Sequence, residues 1–366
     1  MWREELNMNT KTSFTNLEHM KTLTPSSHPS VALNLRYVTD TEPGYCRTCI
    51  KGKFTYLSKN KPINNKNTLK RIASLVIPPA WENVWICKYK NGHIQATGID
   101  KRGRKQYIYH HDWSTIRNVK KFDRLLGFAN KMKLLRTQLR KDLRKKKLSK
   151  EKVCAIAIST MNATYIRAGN KSYEHNYGSY GLTTLKNRHV KIDKNEIFFK
   201  FKGKKGVLQQ VYIKEAKIAK MLKNVKEIPG QELFQYYDHK GTIQRLDSGD
   251  LNRYLKQAMQ EDYTCKDFRT WAGCTLAFMM MANEPYGEVV SERKKELVTI
   301  LDHVAKQLGN TRSVTRNYYI HPELQKQYVD GDLKNELLKL KRKMTQNTDG
   351  ATEKALLKFI RSRCEK

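Results

Sequence analysis

Arg316-Asn317-Tyr318-Tyr319-Ile320-His321-Pro322 lies near the carboxyl end of a 366-residue chain and takes its meaning from what precedes it. Upstream stand Arg167 in Tyr165-Ile166-Arg167-Ala168-Gly169-Asn170, Lys204 in Lys202-Gly203-Lys204-Lys205-Gly206, and Arg269 in Asp267-Phe268-Arg269-Thr270-Trp271-Ala272-Gly273. A phenol able to attack thus follows three cations able to hold an anionic electrophile. The segments around them set the fold. Residues 196–201 and 207–212 are short β-like runs flanking the Lys/Gly segment, which predicts a hairpin with Lys204 at its tip. From Ala216 onward helical patterns dominate, including residues 271–282, 292–307 and 333–344.

Working back toward the amino end, the pattern changes. Residues 1–34 are polar and rich in Thr, Ser and Asn, the composition of a loosely ordered extension. From Leu35 short β-like runs follow at 35–38, 54–57 and 84–89. A hairpin is expected with strands at 93–98 and 105–109 around a turn at 100–103. After Trp113 the period becomes helical: Met132, Leu135, Leu139 and Leu143 form a stripe, with Lys131, Lys133, Arg136, Arg140 and Lys141 on the other faces. Ser149 is expected to cap a more apolar helix that ends near Gly169. The expected fold class is α+β: a small N-terminal antiparallel β domain over 35–115 and a larger, mainly α-helical catalytic domain over 116–366 whose β-hairpin carries Lys204.

Composition narrows the partner. Lys and Arg number 71 against 35 Asp and Glu, a net charge of +36 with a sequence pI near 9.9. That excess exceeds what solubility needs and implies a polyanion. No apolar run approaches membrane-spanning length and no signal-peptide pattern opens the chain, so nucleic acid is the better candidate. Seven scattered cysteines do not form a disulfide framework and fit a reducing, intracellular compartment. Cys46 and Cys49 form a Cys-x-x-Cys pair without a second pair at zinc spacing, so they read as two thiols in a surface turn. With no Gly-x-x-x-x-Gly-Lys-Ser/Thr loop and no His-Glu-x-x-His motif, no metal or cofactor is expected.

The four residues fit one reaction. In-line attack on a phosphodiester concentrates charge on the non-bridging oxygens and makes the leaving oxygen basic. Arg167 and Arg269 suit the first need, since guanidinium stays protonated and its fork matches two phosphate oxygens. Lys204 suits the second as a proton donor to the leaving 5′ oxygen. Tyr319 would supply the nucleophile, giving a phosphotyrosine ester that keeps the energy of the broken bond for rejoining.

These motifs resemble the type IB DNA topoisomerases, in the small form of poxviruses, other large DNA viruses and bacteria. The resemblance extends from about Arg36 to the carboxyl end. It rests on Ile77-Pro78-Pro79-Ala80-Trp81-Glu82-Asn83-Val84-Trp85-Ile86, on Thr97-Gly98-Ile99-Asp100 with Arg104-Lys105-Gln106-Tyr107-Ile108-Tyr109-His110, and on Gly178-Ser179-Tyr180-Gly181-Leu182-Thr183-Thr184-Leu185-Lys186-Asn187-Arg188-His189. It implies relaxation of positive and negative supercoils through a covalent bond from Tyr319 to a DNA 3′ phosphate, strand rotation and religation, without ATP or metal. Arg167, Lys204 and Arg269 would be the catalytic Arg, general acid and second Arg. Lys266 would stand where related recombinases carry His. Asn310 occupies the position at which poxvirus enzymes carry His, as a neutral donor. Arg104, Lys105, Gln106, Tyr107, Tyr109, Lys171, Tyr173, Lys186 and Lys205 would contact duplex DNA. Residues alone leave Tyr107 and Tyr109 as either core or contact.

The resemblance further implies a monomer with no obligate protein partner and no membrane association, working in a DNA-containing compartment. Two rivals keep the same composition: a tyrosine recombinase or integrase, which synapses two duplexes, and a basic DNA-packaging protein, which needs no nucleophile.

Overall fold

The computed structural model describes residues 35–50, 53–101, 103–346 and 350–364; the extension expected over 1–34 lies outside them. The chain divides into two compact units, one ending at Arg117 and the other beginning at Asn118.

The smaller unit holds strands β1 (Tyr45–Ile50), β2 (Lys53–Ser58), β3 (Lys61–Pro62), β4 (Glu82–Ile86), β5 (Ile94–Ile99) and β6 (Lys105–Tyr109), with α1 (Lys66–Ser74) between β3 and β4. The sheet runs β3-β2-β1-β4-β5-β6 and every pairing is antiparallel. Its core is small: Ile72 from α1 against Val84, Ile86 and Ala96, flanked by Tyr45, Tyr56, Trp81 and Ile108. The hairpin expected from 93 to 109 is β5–β6, with Thr97 opposite Tyr107.

Side chains alternate faces along a strand, so Ile108, turned to the core, sends Tyr107 and Tyr109 to the other face. They are 43% and 38% exposed and stack with centroids 5.9 Å apart at 8°, which excludes the core reading. Two other expectations differ. Residues 35–38 form no strand; a lone parallel bridge joins Arg36 to Gly92, and Val38 is buried. Cys46 and Cys49 lie on β1 rather than in a turn. Three residues apart on a strand, they face opposite sides of the sheet and do not form a common ligand pair.

Helix α2 (His111–Leu143) runs from the smaller unit into the larger. The larger unit continues with α3 (Lys150–Thr164), α4 (Lys171–Tyr177), a sheet of β7 (Val190–Asp193), β8 (Glu196–Lys202) and β9 (Leu208–Lys214), α5 (Ala216–Lys226) and a hairpin of β10 (Gln235–Tyr237) and β11 (Ile243–Arg245). Helices α6 (Ser248–Met259), α7 (Cys265–Asn283), α8 (Val290–Leu308), α9 (Arg312–Tyr318), α10 (Pro322–Asp330), α11 (Lys334–Thr345) and α12 (Ala351–Cys364) complete it.

One large core joins these elements. The expected stripe of α2 is buried at Met132 and Leu135 and half-buried at Leu139 and Leu143, with Lys133, Arg136, Arg140 and Lys141 exposed. Ser149 takes the N-cap position of α3, but its hydroxyl donates to Glu151 at 2.7 Å rather than accepting from an amide. That helix closes at Tyr165, φ 55°, before reaching Gly169. Helices α7, α8 and α11 match the expected periods, and β8–β9 match the expected hairpin. No helix among the described residues is long and apolar enough to cross a membrane.

Phe199, fully buried on β8, anchors the hairpin to the core. Phe199→Ala should cost about 3–5 kcal/mol of the larger unit's unfolding free energy, whereas Tyr107→Ala on an exposed face should change stability by about 0.5 kcal/mol or less. Urea unfolding of the two variants checks both.

Candidate active site

Helix α8 ends at Leu308, and Gly309 closes it with φ 58°. The last carbonyls of a helix have no partner within it, and here two arginines meet them. Arg269 donates from Nη2 to Leu308 O at 2.7 Å and from Nη1 to Tyr165 O. Arg167 donates from Nη2 to Gly309 O at 2.9 Å and to Asn310 Oδ1 at 2.5 Å. Three motifs far apart in sequence therefore converge on one helix end.

Each arrives from a differently built element. Arg269 sits in the second turn of α7, whose start is fixed by Thr264, with its amide donating to Asp267 Oδ2 at 3.0 Å. It is only 5% exposed. Arg167 lies just after α3, where the chain leaves the helix through Tyr165. Leu182 N donates to Arg167 O and Thr183 N to Ala168 O, both at 2.7 Å.

This crossing requires glycine. A Cβ on Gly181 would fall 2.5 Å from Gly169 Cα and 2.6 Å from Arg167 O. Tyr180 N donates to Lys202 O at 2.7 Å, so the same segment ties Arg167 to the hairpin that bears Lys204. Gln209 of β9 lies against Gly309, where an added Cβ would be 2.4 Å from its Oε1.

Tyr319 caps α9, its amide donating to Thr315 O at 2.9 Å. Its half-buried ring has its centroid 5.6 Å from Arg269 Cζ. Tyr318, by contrast, is 43% exposed. Burial lowers the pKa of Arg167, and burial followed by the charge of Arg167 lowers that of Arg269; Tyr319 acts in the opposite sense on both. Both guanidinium groups still carry their charge near neutrality.

Among the described residues no carboxylate pairs with either arginine. Arg269 Nε and Asn310 Nδ2 are buried donors without an acceptor. Two uncompensated cations with idle donors form a site for an anion with several oxygens.

Arg167 and Lys204 line one cavity of about 220 Å³, together with Tyr165, Tyr173, Gln209 and Leu308. Lys204 and Lys205 are exposed at the hairpin tip, where Lys205 adopts φ 64°. Lys266 is exposed in the first turn of α7, one turn before Arg269, and its side chain makes no hydrogen bond or ion pair among the described residues. Lys171 and Tyr173 are exposed on α4, whose N-cap Asn170 accepts from Ser172 N at 2.8 Å. Lys186 Nζ lies 3.8 Å from Glu174.

On the smaller unit, Arg104 pairs with Asp100 at 2.6 Å, Gln106 donates to the same carboxylate at 3.0 Å and Lys105 pairs with Asp40. Sequence reasoning read Gly169 only as a helix end and gave no role to Gly181, Gln209 or the Leu308 and Gly309 carbonyls. The Gly178-to-His189 motif carried the signal for Gly181; the carbonyls, being main chain, carried none.

Comparison with known proteins adds a second line of support. Residues 110–347 match the family model described as the catalytic core of eukaryotic DNA topoisomerase I, and residues 53–100 that of the N-terminal domain of bacterial DNA topoisomerase IB. The chain is 30% identical over 274 residues to DNA topoisomerase 1B of Acanthamoeba polyphaga mimivirus, covering 73% of this chain and 81% of that protein. It is 25% identical over 225 residues to DNA topoisomerase 1B of Vaccinia virus, covering 61% and 68%. It is 24% identical over 208 residues to DNA topoisomerase 1 of Schizosaccharomyces pombe, covering 56% of this chain and 25% of that protein.

His321, two residues after Tyr319, caps α10 by accepting from Glu323 N at 3.1 Å and lies 5.0 Å from the Phe122 ring. Burial depresses its pKa from 6.5 to about 4, with Glu323 acting in the opposite sense. The unfolded chain therefore binds this proton first, and stability should fall as pH drops from about 6.5 toward 4. His321→Asn keeps a capping acceptor without a titrating group, and should flatten that part of the profile in thermal melts at stepped pH.

Proposed function

Since the chain belongs to the type IB DNA topoisomerases, we propose that Tyr319 is its nucleophile and that Arg167, Arg269, Asn310 and Lys204 carry its transesterification. The observation that supports this most directly is the convergence of both arginines on the end of α8 beside the Tyr319 ring, with Arg269 Nε and Asn310 Nδ2 idle. A scissile phosphate supplies the oxygens these donors lack. Positive charge held in place before the reaction stabilises the added charge of the pentacoordinate transition state without reorganisation.

As the Tyr319 oxygen bonds to phosphorus, the bond to the 5′ oxygen breaks. Lys204, exposed at the hairpin tip, gives that oxygen a proton, and the phenolic proton leaves to solvent. One phosphoester replaces another, so no bond energy is lost and the reverse attack reseals the strand. Rotation of the free 5′-hydroxyl strand between the two steps relaxes supercoils of either sign without ATP. Lys266 is assigned to the scissile phosphate, since it shares a helix face with Arg269 one turn away.

Duplex DNA is the substrate, in keeping with the net charge of +36. The exposed, stacked Tyr107 and Tyr109 suit contact with base edges; Gln106 lies on the opposite face of β6, bonded to Asp100, and is assigned to bases from the resemblance. Lys171, Tyr173, Lys186, Lys205, Arg104 and Lys105 are assigned to the DNA backbone, where Lys186, Arg104 and Lys105 would exchange carboxylate partners for phosphates. Action as a monomer in an intracellular, DNA-containing compartment completes the reading.

Denaturing the protein during incubation with end-labelled duplex should trap a 3′-linked covalent adduct with wild type and with Tyr318→Phe, and none with Tyr319→Phe. Adduct lost with Tyr318→Phe and kept with Tyr319→Phe overturns the assignment. Arg167→Ala and Arg269→Ala should each slow adduct formation by about 10³-fold, as for other phosphoryl-transfer arginines. Single-turnover cleavage against filter-binding affinity separates that loss from weaker DNA binding.

A further inference from the structure

The main chain that carries Tyr319 is gripped from two helices. Lys121, on the part of α2 that belongs to the larger unit, donates from its ammonium to the Tyr318 carbonyl. That carbonyl is the last of α9, an acceptor left over at a helix end, where a cation is favoured. The same Nζ stands 5.0 Å from the centroid of the Tyr319 ring and 5.0 Å from that of Phe122.

From α7, the Cys274 thiol donates to the Tyr319 carbonyl at 3.3 Å. Cys274 is fully buried, and burial pushes its pKa up to about 12, so it remains a thiol and a donor. Gly273 beside it permits the approach: a Cβ there would fall 2.8 Å from Tyr319 O and 3.1 Å from Tyr319 Cβ. The two successive carbonyls flanking the Tyr319 residue are thus both tied down. Its ring lies near Arg269 as well as Lys121.

We propose that Lys121 is a positioning residue for strand transfer: bonded to the Tyr318 carbonyl and lying over the Tyr319 ring, it holds the phenol toward Arg269 on a seat completed by Gly273 and Cys274. The proposal rests on Tyr319 being the nucleophile. Tyr319 stands at φ −129°, ψ −12°, outside the helix it caps, so its direction is not set by helical geometry. Without the ammonium, the peptide joining Tyr318 to Tyr319 turns more freely and the ring spends less time aligned for attack. Attack and resealing use the same alignment, so both rates fall together while the fraction of adduct at equilibrium stays the same.

The test uses the full chain with Lys121→Met and Lys121→Arg, measuring single-turnover cleavage and religation under saturating DNA. Affinity is read in parallel with Tyr319→Phe in the background, so that no adduct forms. Lys121→Met should slow cleavage and religation alike, by about 10- to 100-fold, since a misplacement of about 1 Å has that scale of effect. Affinity should stay within about 2-fold, and Lys121→Arg, which keeps a donor and a charge, should recover most of the rate.

Wild-type rates in Lys121→Met overturn the proposal. So does a loss confined to affinity with a reduced salt dependence, which would make Lys121 a phosphate contact. Should Lys121→Met fail to fold, Lys121→Arg decides alone: near-wild-type rates support the seat, and rates as low as those of Gly273→Ala, which crowds the next carbonyl along, that of Tyr319, overturn it. An adduct still formed by Tyr319→Phe would sink the nucleophile assignment itself, a result separate from any effect at Lys121.

Discussion

The carbonyl end of α8 organises the larger unit's chemistry. A helix leaves its final carbonyls without internal partners, and at Leu308 and Gly309 those oxygens are taken by Arg269 and Arg167. Two cations, Arg269 buried and Arg167 half-buried, thereby stand near each other with only neutral oxygens for company. That arrangement is costly for an isolated fold, since desolvation and mutual repulsion both oppose it. The partial negative charge at a helix C-terminus offsets part of the cost. Under the proposed assignment the remainder serves as electrostatic preorganisation for a phosphate, because a carboxylate pairing with either arginine would cancel that field.

Glycines make this convergence sterically possible. Gly181 crosses Gly169 where no Cβ fits, and Gly273 lets Tyr319 lie against α7. Gly309 serves twice, accepting a left-handed φ at the helix end and leaving room for Gln209 from the Lys204 hairpin. Close packing at these glycines thus works together with the Arg167–Asn310 hydrogen bond to set the alignment. The large core beneath, with Phe199, Phe278 and Tyr328 fully buried, gives these contacts a rigid support.

Much of this was legible in the sequence because chemistry-bearing side chains sit in compact motifs and because periodicity reports burial. The β8–β9 hairpin and helices α7, α8 and α11 followed from apolar spacing. Other features were illegible for physical reasons. Main-chain acceptors such as Tyr165 O and Leu308 O leave no residue-type signature. A period of two says that Tyr107 and Tyr109 share a face but not which face, and only the pairing of β5 with β6 and the burial of the intervening Ile108 side settle it. Residues 35–38 looked like a strand because Leu35, Tyr37 and Val38 are apolar; packing around His93 and Trp113, with Tyr37 edge-on to Trp113, absorbs that apolarity without a ladder. Cys46 and Cys49 suggested a turn by proximity, whereas Thr48 and the flanking aromatic and β-branched residues continue the strand.

The orientation of the Asn310 amide follows from the same helix end. An amide can present either its oxygen or its nitrogen, but Arg167 Nη2, a donor, lies 2.5 Å from one of these atoms. Turning the amide over would set donor against donor, so the oxygen must face Arg167 and Nδ2 must face away. Nδ2 is then left buried and without an acceptor, directed by its neighbour rather than by chance. A His at this position would add a proton whose presence depends on pH. Asn310 supplies a donor that does not titrate, and charge at the site then resides in guanidinium groups that remain protonated across the physiological range. Within this group of residues, neutrality at Asn310 and permanent charge at Arg167 are complementary parts of one hydrogen-bonding arrangement.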